Sequence, residues 1–154
     1  MTYVRIFAAI GLLAAVFAFG MWLTWRGSPA DASEFPAGQK FVAVSLNDQP
    51  IISSRRDAKL PTLEIKHRSF FNFGVGGTAH CNDLRGDIGL LPRRKIVWGE
   101  VSVTAVACSE WKLEERYLKA LLSATRWRTE RGFLILENGT DVIRFLLTPR
   151  KAPD

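Results

Sequence analysis

The side chains best suited to nucleophilic or metal chemistry are few: Cys81, Cys108, His67 and His80 are all the cysteines and histidines of the chain. Two of them are adjacent, in the stretch Gly76-Gly77-Thr78-Ala79-His80-Cys81-Asn82-Asp83-Leu84-Arg85-Gly86. A Cys–His nucleophile needs a free thiolate, a base within reach and a group that orients the base. Neighbours on a strand point to opposite faces, so His80 could serve Cys81 only if a turn relaxed that rule. A zinc site would have to gather Cys81, Cys108, His80 and His67, and His67 sits apart in the charged stretch Lys66-His67-Arg68. A disulfide between Cys81 and Cys108 needs an oxidising compartment, where an even cysteine count favours pairing. Two buried, reduced thiols complete the alternatives.

The compartment is read from the N-terminus. Ile6 to Leu23 carries no charge over 18 residues. As a helix it is roughly 27 Å long at about 1.5 Å per residue, against a bilayer core of about 30 Å. It exceeds the usual apolar region of a signal peptide. Trp22 and Trp25 fall at its far end, where amphipathic rings favour the headgroup layer. Ser28-Pro29-Ala30 and Ala30-Asp31-Ala32 offer small-residue cleavage sites. The expectation is a retained inner-membrane anchor over residues 6–23, with a cleaved signal peptide as the alternative. Either way the rest of the chain is exported to the periplasm or cell envelope.

The net charge is +6. Export argues against nucleic acid as the partner, and the basic residues are scattered through the sequence rather than clustered. Scattered charge on strands and turns reads as a solvated face. Arg126-Trp127-Arg128 is the candidate exception. An aromatic between arginines can anchor a partner contact; the alternative has Trp127 packed inward with both arginines in water.

The elements that must position these residues follow from periodicity. Residues 1–26 are the signal-anchor or signal peptide and 27–39 (GSPADASEFPAG and Gln39) a flexible linker, too rich in small residues and proline to pack. The domain spans 40–149, with a short tail at 150–154. Phe41–Leu46 and Ile51–Ser53 read as strands around an Asn47–Pro50 turn, and Leu60–Lys66 as a strand with Leu63 and Ile65 on one face. Phe70, Phe71 and Phe73 precede a glycine-rich turn. Asp87–Leu91 and Lys95–Trp98 flank Pro92-Arg93-Arg94 as a hairpin, and Val101–Ala107 alternates as a half-buried strand. Ser109 is placed to cap a helix whose apolar residues Trp111, Leu113, Tyr117, Leu118, Leu121 and Leu122 recur through Ala124. Glu114 projects toward the apolar side of that helix, either at the rim near the positive helix N-terminus or buried and bonded to strand backbone. Thr125–Glu130, Phe133–Leu136 and Val142–Leu147 are three more strands, with Asn138-Gly139 expected to form a tight hairpin turn. The sum is a mostly β (α+β) domain: an antiparallel barrel-like sheet with one packed α-helix. Phe70, Phe71, Phe73 and Trp98 either fill its core or line a ligand cavity.

Six segments in order resemble the META (HslJ-like) domain family. Leu46-Asn47-Asp48-Gln49-Pro50-Ile51 is similar to its opening hairpin and Pro61–Ile65 to its second element. The stretch from Gly76 to Gly86 resembles its G-C-N turn, with Gly77, Asn82 and Gly86 as motif positions. Val103–Cys108 resembles the strand end that carries Thr104, Glu114–Leu121 the helix that starts with Glu114, and Gly132–Leu136 the closing hairpin. His80 stands where the family tends to have glycine, and Leu84 where it has an aromatic. The resemblance implies a small mostly-β fold with one helix, usually in the bacterial envelope, associated with envelope stress, secretion or motility, and similar to proteins that pilot secretin subunits. It implies no catalytic residues, metal or cofactor. The expected function is therefore a non-enzymatic module that binds an envelope protein or a hydrophobic ligand. A pilot-like acyl-chain binder and a thiol enzyme or redox sensor using Cys81 and His80 are the alternatives.

Overall fold

The computed structural model describes residues 34–52, 60–69 and 72–148. The apolar N-terminal segment, Phe70, Phe71 and the C-terminal tail lie outside the described residues. In chain order the elements are β1 (Gln39–Leu46), β2 (Gln49–Pro50), β3 (Thr62–His67), β4 (Asn72–Thr78), β5 (Asp83–Leu91), β6 (Lys95–Val103), α1 (Trp111–Ser123), β7 (Arg126–Glu130), β8 (Phe133–Glu137) and β9 (Val142–Leu147). The strands run antiparallel in the order β2-β1-β3-β4-β5-β6-β7-β8-β9, and β1 also pairs with β9. The sheet thus closes on itself as an eight-stranded barrel, with β2 as a short overhang on β1.

Period-two alternation supplies the interior. Phe41, Ala43, Leu63, Ile65, Phe73, Leu84, Ile88, Leu90, Leu134, Leu136, Ile143 and Phe145 are all buried in one cluster. The helix adds Tyr117, Ala120 and Leu121 from its inner face. Phe73 belongs to this packed core, while Trp98 lies partly buried at its margin.

Several local expectations are corrected. Gln49-Pro50 is strand, because the turn is made by Asn47 and Asp48 alone, both at positive φ; this is the twist-matched hairpin turn. The Asn138-Gly139 segment is a longer loop instead. Asn138 Oδ1 accepts the N–H groups of Thr140 and Asp141, so its side chain substitutes for a backbone turn. The two-residue turn falls at Arg131-Gly132. The glycine run expected as a turn is strand β4. Gly77 is required there because a Cβ would collide with the backbone oxygen of Thr62 on β3, and glycine permits that close approach. The described end of the expected linker is part of the domain: Phe35 is buried, edge-on to Trp127 at 4.9 Å. The strand expected over Val101–Ala107 joins Lys95–Trp98 as one strand and ends at Val103.

The barrel has one weak seam. β6 meets β7 at a single residue pair, Lys95 and Arg126. Ile96 N–H bonds Thr125 and Trp127 N–H bonds Arg94 beside it. Beyond that point β6 is tied to the end of α1 where Trp98 Nε1 donates to the Ala124 carbonyl at 2.9 Å. That bond satisfies a carbonyl left open at the helix C-terminus.

Candidate functional site

The residues singled out for chemistry converge where the β4–β5 connection meets the N-terminal half of α1. Cys81 and Cys108 form a disulfide with Cα atoms 6.2 Å apart. It joins the connection after β4 to the segment that enters the helix. Of the alternatives open in the sequence, this is the one the structure contains.

Asn82 organises the rest. Its Oδ1 accepts the Val106 N–H at 2.7 Å and its Nδ2 donates to the Val106 carbonyl at 3.2 Å. The side-chain amide therefore pairs with the N–H and C=O of one residue, as a neighbouring strand would. Thr104 Oγ1 donates to the same Oδ1 at 2.9 Å and accepts the Asp83 N–H at 3.0 Å. Glu114 approaches from the helix and accepts twice, from the Asn82 backbone N–H at 3.2 Å and from Nδ2 at 3.0 Å. Glu114 is buried, so the buried reading of this residue holds. Its main-chain partner lies in the connection before β5 and not within a strand. Buried polar groups are tolerated when bonded in this way.

His80 is the neighbouring piece. Its φ is +93°, the left-handed region that favours glycine. This accounts for glycine as the family preference at this position. The imidazole is nearly fully enclosed, and its Nε2 lies 2.5 Å from Glu110 Oε2. Glu110, not Ser109, occupies the N-cap position, and no side chain caps α1. The Glu110 carboxyl meets His80, while its main-chain carbonyl accepts the first helical N–H groups, of Leu113 and Glu114.

The remaining sequence candidates sit elsewhere. His67 lies at the far end of β3, its ring 4.4 Å from that of Phe73. The carboxyl of Glu114 and the two sulfurs lie within 4.8 Å of one another, but both sulfurs are taken by their mutual bond. Gly86 stands opposite a bulge in β6, where Gly99 and Glu100 together face Asp87, and a Cβ there would collide with the Glu100 backbone oxygen. Trp127 is not a surface anchor: it is 1% exposed and points into the core between Phe35 and the Arg94 guanidinium. On a strand its neighbours must then face outward. Arg126 is exposed, and Arg128 pairs with Glu130 and Glu137. Other scattered cations are paired too: Lys66 with Glu64, Arg68 with Asp87 and Arg144 with Asp48.

This arrangement of a barrel, one helix among the described residues and the His80-Cys81-Asn82 connection can be set against known proteins. The family model for the META domain matches residues 34–150. The chain belongs to the META domain family. The match begins at Glu34, next to the buried Phe35, in keeping with a domain that starts before β1. One solved structure, determined by NMR, is similar at 18% identity, covering 71% of this chain and 88% of its own, with a TM-score of 0.55. That likeness shows a shared fold. No curated protein matches. Within this META domain, sequence reasoning missed the strand-like role of Asn82. The clue was available: an asparagine beside a cysteine, facing a Thr-x-Val segment that alternates like a strand without a second strand to follow it.

Proposed function

We propose that this META-domain chain is a binding module of the bacterial cell envelope, without catalytic chemistry of its own. In this reading residues 6–23 hold it at the inner membrane, or are removed after export. Its partner is an envelope protein or a hydrophobic ligand, met during envelope stress or assembly. One observation carries the reading. The cluster that most resembles a reactive site is engaged in holding the chain: both thiols are bonded to each other, and Asn82, Thr104 and Glu114 bond one another and the backbone. A disulfide at this point also fits an oxidising compartment.

The test is a thiol count by mass spectrometry, with alkylation under denaturing, non-reducing conditions, on protein taken from its native envelope. The expected result is no alkylated thiol and a peptide bridged through Cys81 and Cys108. The same spectrum reads the mass of the N-terminus and so whether residues 6–23 are retained. Two free thiols, with Cys81 alkylated rapidly in the native state, would replace this reading with a thiol enzyme or redox sensor.

A further inference from the structure

Arginines far apart in the sequence come together at one end of the barrel. In an antiparallel sheet successive connections fall at alternate ends. The end where β1 starts therefore also holds the β3–β4 connection, the β5–β6 turn and the β7–β8 turn. The described residues of these connections, with those before β1, bring Arg68, Arg93, Arg94 and Arg131 against a single acid, Glu34. The other end holds the β1–β2 turn, the β4–β5 connection, the segment from β6 to α1 and the β8–β9 loop. Their residues bring Asp48, Glu110 and Asp141, with no lysine or arginine among them. Residues 53–59, between β2 and β3, lie outside the described residues. Contacts confirm the first grouping. Arg94 lies over the Trp127 ring and pairs with Glu34, and Phe35 packs there against Phe73 of β4 and Trp127 of β7.

Three of these arginines stand where the turns alone would not place them. Arg93, Arg94 and Arg131 have φ of 62°, 56° and 50°, in the left-handed region that disfavours most side chains. The β1–β2 turn at the other end meets the same requirement with Asn47 and Asp48, residue types suited to it. An arginine held at such a position points to a role beyond the turn. Arg93 and Arg131 are exposed, while Arg68 pairs with Asp87 and Arg94 with Glu34. Leu91 and Leu147, the last residues of β5 and β9, are also exposed at this end. Val106 and Trp111 are exposed at the other, so charge, rather than apolar exposure, separates the two ends.

We propose that the arginine end of the barrel rests on a membrane surface of anionic phospholipid. The inference rests on reading residues 6–23 as a retained anchor, and it adds an orientation and a lipid class to that reading. Ten residues, 24–33, separate Leu23 from Glu34, a reach of at most roughly 40 Å. The chain enters the described domain at Glu34, on the arginine end, so the tether holds that end toward the bilayer. Arginines near an anionic surface are attracted to it over about a Debye length, roughly 10 Å. Asp48, Glu110 and Asp141 at the other end are repelled by the same surface, which fixes the orientation. Lipid phosphate oxygens accept the guanidinium N–H groups, and Leu91 and Leu147 add apolar contact at the headgroup boundary.

The experiment places the full-length chain in nanodiscs of phosphatidylcholine and in discs of equal parts phosphatidylcholine and phosphatidylglycerol, and compares backbone hydrogen exchange. The anionic discs should slow exchange across 91–97 and 130–134 by about threefold or more, leave 47–50 and 138–141 unchanged, and lose the effect in high salt. Arg93→Asn combined with Arg131→Asn removes two cations and keeps a residue that tolerates positive φ. The double variant should lose most of the lipid-dependent slowing, with its melting temperature unchanged or raised. Lys112→Gln, in the first turn of α1, should keep it. The comparison of the two discs on the unaltered chain stands without the variants. A chain that stays in both discs with no difference between them would overturn this inference and leave the anchor reading standing. A chain that leaves the discs would overturn both. Equal slowing at the two ends, or full slowing in the double variant, would overturn this surface. Slowing by added poly-glutamate in neutral discs, with none from anionic lipid, would overturn it in favour of an acidic protein partner.

Discussion

Two regions that bury polar atoms among the described residues handle them in opposite ways. Beside the disulfide, Asn82 and Glu114 are buried with their side chains hydrogen-bonded to named partners. Inside the barrel, Tyr117 Oη and Trp127 Nε1 are buried with no hydrogen-bond partner among the described residues. The first region lacks a neighbouring strand, and its polar side chains replace one. The second is closed by strand ladders, so Tyr117 and Trp127 contribute volume and their polar atoms are incidental. The difference separates polar groups that hold the chain in place from polar groups carried along by large rings.

The largest effect is expected at the covalent staple. Cys81→Ser should lower stability by about 3–4 kcal/mol under oxidising conditions, by the loop-entropy estimate for a loop of this size. The bridged cysteines are 27 residues apart. Denaturant unfolding with and without reductant checks this; the variant and the reduced parent should then coincide, and a persisting gap would remove the disulfide account. Asn82→Ala comes next. It removes the side-chain partner of the Val106 N–H and C=O, of the Thr104 hydroxyl proton and of one Glu114 oxygen, and should cost about 2–4 kcal/mol. Exchange of the Val106 amide should rise more than that of the barrel strands; a uniform rise would mean that Asn82 is ordinary core.

Glu114→Gln is a finer probe of the same region. The amide can still accept one of the two hydrogen bonds but sets a donor against the other, for a loss of about 1–2 kcal/mol. An effect as large as that of Asn82→Ala would mean that the charge, rather than the bond count, holds the cluster. The smallest change is expected at the orphaned hydroxyl. Tyr117→Phe should be neutral, or stabilising by up to about 1 kcal/mol, because it removes an unbonded buried group. It should also alter the alkaline limb. Burial raises the Tyr117 phenol well above its ordinary pKa. The native phenol therefore stays neutral where the unfolded one ionises. Its stabilising contribution is full below the unfolded pKa of about 10 and is lost as pH rises above it, by about 1.4 kcal/mol per pH unit. Thermal melts from pH 9 to 11 should show that slope in the parent and a shallower one in Tyr117→Phe; identical slopes would mean that the hydroxyl reaches water or a partner.

Much of the fold was legible because apolar residues alternate where one face is buried. Leu63 and Ile65, Leu134 and Leu136, and Ile143 and Phe145 all turned inward as period two requires. The helix was legible from its own spacing. The failures share a cause, which is that local chemistry is ambiguous until a neighbour arrives. A glycine run has no side chains to alternate, so β4 read as a turn, although Gly77 is there for the approach of Thr62 on another strand. Phe35 sits among linker residues, and only the open end of the barrel beside Trp127 and Phe73 gave it a place. Asn138-Gly139 had the chemistry of a tight turn, but the β8–β9 register ends at Glu137 and Val142 and leaves a longer loop.

The same division holds at the site. Sequence alone determined the family, the mostly β barrel with one helix, the two cysteines as candidates for a bridge and the misfit of Glu114 on an apolar helix face. These follow from residue type and period, which are properties of one segment at a time. Tertiary structure decided that Trp127 points inward, that Asn82 stands in for a strand and that β6 meets β7 at a single residue pair. Those outcomes depend on which segments become neighbours, and hydrogen-bond partners far apart in the chain meet only after the sheet has closed.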